Sequence, residues 1–133
     1  MNLLDENIRQ DQGVQLRGWR VPFRSLVQDM ARAGTQDADI IPLLQRLKRI
    51  TFFTHDRDYF QPGLSHRAYG LVWLDVFDGE AAVMIRRFVR HPDFATQARR
   101  LGLVARAHHD GVDFWRLNQA GLQRVPWPAK RRT

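Results

Sequence analysis

The chain has 133 residues, 44% of them hydrophobic, and 21 Lys and Arg against 14 Asp and Glu give it a net charge of +7. That length fits a single domain with a real core, and the hydrophobic share excludes a disordered chain. There is no cysteine, which excludes disulfides and thiolate metal sites and fits a reducing compartment. No apolar run approaches the ~20 residues of a membrane-spanning helix. The first residues, MNLLDEN, lack the basic start and long apolar stretch of a signal peptide. A soluble, cytoplasmic protein is the expectation. Only Lys48 and Lys130 are lysine, so nearly all the positive charge is arginine. The arginine fork suits phosphate, which points to a polyanion such as RNA. Arginine-rich codon usage would leave the same excess.

In chain order, Met1–Leu4 reads as a first strand, and a helix from about Ile8 to Gly18 follows with a weakly defined apolar face. Trp19–Pro22 is a turn, because proline disfavours helix before it. Phe23–Met30 reads as a second strand, with spacing that also allows a helix. Asp37–Lys48 is the clearest helix, with Ile40, Ile41, Leu44 and Leu47 on one face and Asp37 and Asp39 at its positive end. The third strand, Ile50–Thr54, follows at once. Gln61–Ala68 is a polar loop placed to wall a site, and Tyr69–Val76 is a fourth, continuously apolar strand. Asp78 is positioned to cap a helix over Glu80–His91, with Arg86, Arg87 and Arg90 facing outward. Asp93 is positioned to cap a short helix to Leu101, and Leu103–Ala107 with Val112–Leu117 reads as a hairpin turned at Asp110-Gly111. Gln119–Thr133 is a basic tail, expected to be poorly ordered without a partner. The pattern is α/β, with a central, mostly parallel sheet flanked by helices and a C-terminal helical and hairpin extension. One domain spans 1–118, with a core over 1–76 and the extension over 77–118.

Three acid pairs stand out in this basic chain: Asp5-Glu6, Asp37 with Asp39, and Asp56 with Asp58. Each lies at the end of a core strand or the start of a helix. Acids at the carboxyl ends of parallel strands sit where such sheets bind ligands. Singly, each pair reads as a solvated strand end, a helix-start charge or a turn. Jointly they read as one acidic pocket suited to hard divalent cations, magnesium or manganese.

Three motifs make the chain resemble the short PIN-like proteins, compact relatives of the PIN-domain ribonucleases that include the VapC toxins. They are the apolar strand ending in Asp5-Glu6-Asn7, the helix start Asp37-Ala38-Asp39-Ile40, and the strand ending in Thr54-His55-Asp56-Arg57-Asp58-Tyr59-Phe60. The resemblance covers about Met1–Val76. It implies a three-layer PIN-like fold and a metal-dependent ribonuclease, with Asp5, Asp37 and Asp56 as catalytic acids. The metal would be held by Asp5, Glu6, Asp37, Asp56 and Asp58, supported by Asn7, Asp39 and Thr54. RNA would be guided by Arg57, Arg67, Arg86, Arg87 and Arg90, with Arg99 and Arg100 as further candidates. It also implies an antitoxin partner, and a homodimer is open. The chain departs from the family pattern in one respect: between the first strand and Asp37 it lacks the family's further helix acid, Asp29 having no matching context. The alternatives are a non-catalytic RNA- or protein-binding relative, and a Toprim-like nuclease built on Glu6, Asp56 and Asp58.

Overall fold

The computed structural model describes residues 1–28 and 40–129. Among them, seven strands form one sheet: β1 (Asn2–Leu4), β2 (Arg24–Ser25), β3 (Ile50–Thr54), β4 (Tyr69–Leu74), β5 (Leu103–His108), β6 (Gly111–Arg116) and β7 (Gln123–Val125). Their spatial order is β2-β1-β3-β4-β5-β6-β7. The first five run parallel, and β6 and β7 are antiparallel additions at one edge. The architecture is therefore α/β with a mostly parallel sheet, as the helix-then-strand pattern predicts. Among the described residues no helix is long and apolar enough to cross a membrane.

The continuous apolar runs arise because both sheet faces are covered. Successive strand residues alternate between faces. Leu3, Phe52, Leu71 and Val104 join one core cluster with Leu43 and Leu44 of α2 (Ile40–Leu47). Leu4, Phe53, Val72 and Ala105 join the other, with Leu16 of α1 (Gln10–Gly18) and Met84, Ile85 and Phe88 of α3 (Ala81–Arg90). The inward positions of α3 recur at helical spacing, so one stripe of it is buried and the arginine side is not. Gln12, fully enclosed on α1, accepts a 2.9 Å bond from the Ala82 amide. It thereby satisfies one of the orphan N–H groups of the α3 N-terminus.

Several boundaries differ from the sequence reading. The second strand shrinks to Arg24–Ser25, and residues 26–28 are already helical, the alternative their spacing allowed. The Asp37–Lys48 helix is described from Ile40 only; Asp37 and Asp39 lie outside the described residues. Asp78 does not cap α3: it opens a 3-10 turn, and the Glu80 carboxylate accepts from the Phe77 amide instead. The short helix α4 (Gln97–Arg100) is capped by Thr96 rather than Asp93. Residues 119–129 of the tail are tied to the fold. β7 pairs with β6, and the Trp127 indole N–H donates to the His108 carbonyl at 2.7 Å. Burying Val125 and Trp127 against the core outweighs the polarity of the surrounding residues. The sheet thus continues past 118. Gly111 is required in this edge: with φ +149, a Cβ there would stand 2.2 Å from the Val125 carbonyl oxygen.

Candidate functional site

The parallel order β2-β1-β3 makes a topological switch point. From β1 the chain crosses to β2 on one side, and β3 and its successors lie on the other. Crevices outside the carboxyl ends of strands at such a point are where open α/β sheets bind ligands. The carboxyl ends of β1 and β3 carry Asp5 and Thr54 respectively. Both are buried.

Thr54 is the hub. Its hydroxyl donates to Asp5 Oδ2 at 2.6 Å, and accepts from Asn7 Nδ2 at 3.2 Å and from the Asp56 amide at 3.0 Å. A hydroxyl has one proton and two lone pairs, so all its capacity is used. Both neighbours on the accepting side are obligate donors. The proton must therefore point at Asp5, which fixes that carboxylate oxygen as an acceptor. Asp5 Oδ1 accepts from the Glu6 amide at 2.7 Å. Asn7 returns to β3 a second time, its Oδ1 accepting from the His55 amide at 3.1 Å. Strand ends that are 49 residues apart in sequence are thus locked in one register around one carboxylate.

Asp56 follows. Its Oδ1 accepts from the Asp58 amide at 2.9 Å, capping the 3-10 turn Arg57–Tyr59. His55 closes the other flank: its Nδ1 is 3.1 Å from the Leu74 carbonyl at the end of β4, so Nδ1 carries the proton. Its Nε2 is 3.9 Å from Asp78 Oδ1. Three loops, after β1, β3 and β4, therefore meet at this end. A cleft of about 490 Å³ opens beside it, lined by Asp5, Glu6, Arg9, Arg17 and Phe23 among others.

Of the expected acids, Asp5 and Asp56 are brought together through Thr54, and Glu6 adjoins them on the surface. Asp58 is exposed on the turn, and Asp37 and Asp39 lie outside the described residues. The oxygen-only donors fit magnesium or manganese in type. Among the described residues, however, no three His, Cys, Asp or Glu are grouped so as to hold a metal ion.

The expected RNA guides are scattered. Arg57 stands at the acidic end. Arg67 does not: it precedes β4, whose Tyr69 is level with Ile50, roughly 13 Å down the sheet from Thr54. For the same reason only the start of the 61–68 segment can wall the site. Arg86, Arg87 and Arg90 lie towards the far end of α3, which runs back from the carboxyl end of β4. Arg100 is buried, donating to Thr51 Oγ1, the Phe94 carbonyl and Gln97 Oε1, and it ties α4 to β3 rather than lining a path.

One cluster escaped the sequence reading. Asp113 on β6, 3% exposed, takes hydrogen bonds from Arg106 Nη1 at 3.1 Å and Arg124 Nε at 2.6 Å. His108 Nε2 is 3.3 Å away at ion-pair distance, though not aligned for a hydrogen bond. Arg106 continues to Asp75 at 2.7 Å. Burial pushes the Asp113 carboxyl up, but Arg124 and His108 more than offset it and hold it below the usual carboxylate range. The signal was available: once the hairpin turn is set at His109-Asp110, Arg106 and Asp113 fall directly opposite.

No protein-family model, curated protein or solved structure matches the chain.

Proposed function

We propose that the chain is a metal-dependent ribonuclease of the PIN-like class, cleaving RNA phosphodiesters at the Asp5–Thr54–Asp56 end of the sheet. The observation that carries this reading is the buried Asp5 carboxylate, held by Thr54 at the β1/β3 switch point, with the backbone amide of Asp56 on the same hydroxyl. Asp5, Asp37 and Asp56 are the residues assigned to a magnesium or manganese ion. When bound, such an ion supplies an activated water and neutralises charge developing on the phosphate. Thr54 orients Asp5 and keeps its lone pairs fixed, and Asn7 braces both strand ends. Arg57 is the cation placed to meet a phosphate at this end. The resemblance to toxin ribonucleases supports an antitoxin protein as a partner that covers the site.

The test is incubation of the purified protein with a mixed RNA pool in manganese, in magnesium and in EDTA, beside Asp5→Asn and Asp56→Asn. The reading requires cleavage that needs metal and is lost in both variants. Cleavage that survives both substitutions would sink it. A second reading, a non-catalytic RNA or protein binder, draws on the fact that Asp56 already has a structural task as the cap of its turn. That reading requires RNA or protein binding with metal chelated and no cleavage in any condition.

A further inference from the structure

Along the solvent side of α3, a groove of about 670 Å³ opens between Trp19, which follows α1, and Trp127, which follows β7. Its base is α3, through Val83, Arg86, Arg87 and Arg90. The Arg86 guanidinium lies 4.7 Å above the Trp19 ring and that of Arg87 4.5 Å above the Trp127 ring. An arginine laid on an indole is restrained in direction, so little further order is lost when its N–H groups bind. Among the described residues no carboxylate pairs with Arg86, Arg87 or Arg90, and Arg86 Nε is buried without an acceptor. Val83, on the same helix, is 47% exposed. The groove thus combines aromatic walls and an exposed aliphatic side chain with three cations that have no carboxylate partner among the described residues.

We infer that this groove is a docking site for an acidic segment of a partner protein, one whose carboxylates flank apolar side chains. Charge complementarity requires an anion. Apolar side chains on the segment would cover Val83 and the indole walls while its carboxylates reach the guanidiniums. Tryptophan and arginine are the residues that most often dominate protein interfaces. Single-stranded nucleic acid fits less well, because it binds by stacking bases on bare aromatic faces, and here an arginine already covers a face of each indole. The chain's own end, Lys130-Arg131-Arg132, has the wrong sign. The inference is independent of the cleavage reading, since the groove and the cleft beside Asp5 share no lining residue.

The experiment is fluorescence anisotropy on the full chain with a labelled synthetic peptide that alternates glutamate with leucine and phenylalanine. The comparators are the same peptide with glutamine for glutamate, polyglutamate and oligouridylate. Tight binding is expected for the first peptide alone, with a blue-shifted tryptophan emission. Arg86→Gln and, separately, Arg90→Gln should each weaken it on the order of 10-fold or more, with unchanged circular dichroism, while Arg57→Gln at the acidic end leaves it unaltered. Oligouridylate binding more tightly, polyglutamate binding equally well, indifference to both groove substitutions, or no binding would each overturn the inference. So would light scattering that finds the groove filled by a second copy of the chain.

Discussion

Among the described residues two aspartates are buried, Asp5 and Asp113, and their surroundings differ. Asp113 on β6 is ringed by Arg106 and His108 of β5 and Arg124 of β7. Its charge is matched, and the matching staples β5, β6 and β7 together. Asp5 takes hydrogen bonds from the Thr54 hydroxyl and the Glu6 backbone amide, and it lines an open cleft with Glu6, Arg9 and Arg17. The comparison separates an acid tied into the edge of the sheet from one set at the mouth of a cleft.

The largest expected effect is functional. Asn at position 5 keeps the shape and the bond from Thr54 but turns its NH2 towards the Glu6 amide, so Asp5→Asn should lower stability by only about 1 kcal/mol. Metal-dependent RNA cleavage should fall by on the order of 100-fold or more, because even groups that merely support a metal ligand are worth 10- to 100-fold. If stability collapsed while cleavage persisted, the distinction between the two aspartates would be reversed.

Asp113→Ala should do the converse. Removing one partner of a buried pair leaves its cations uncompensated and costs about 3–5 kcal/mol when the pair is fully enclosed. Arg106 is 33% exposed and Arg124 71%; solvent screens both, so about 2 kcal/mol is the expected loss. Urea unfolding measures it, and cleavage per folded molecule should be unchanged. Thr54→Val is the intermediate case. It should cost about 1 kcal/mol for the lost hydrogen bonds and roughly 10-fold in cleavage, since Asp5 would lose the bond that orients it.

The sequence carried the centre of the sheet better than its edges. β3 appears as Ile50–Thr54 because a strand buried on both faces is a run of apolar and β-branched residues with polar residues immediately after it. The Asp5–Thr54–Asp56 grouping was legible because the acids follow such runs directly. β7 was not, since Gln123-Arg124-Val125 has no local apolar pattern, and its stability comes from Trp127 and the Arg124–Asp113 pair, both distant in sequence. The positions of Arg67, Arg86, Arg87 and Arg90 failed for a related reason. Exposed arginines can be read from helical periodicity, but which end of the sheet they occupy depends on the direction in which each connection runs.

The smallest effect, on the acid limb of stability, sharpens the contrast. Asp113, Asp11 and Glu80 are all held below their usual values, by Arg124 and His108, by Arg9 and by His109 respectively. A carboxyl depressed in the folded state leaves the unfolded state binding more protons, so its contribution is complete above the unfolded value, about 3.9 for Asp, and is lost as pH falls through the folded value. Asp11 and Glu80 pair with their partners at the surface, where salt screens them. Asp113 is enclosed, and its share should persist in high salt. Urea midpoints measured from about pH 5 down to about pH 2 in molar salt should therefore fall steeply for the native chain and less steeply for Asp113→Asn, which starts lower but has one fewer proton to take up. Parallel curves for the two proteins would mean that Asp113 is not the carboxylate that the arginines of the sheet edge hold ionised.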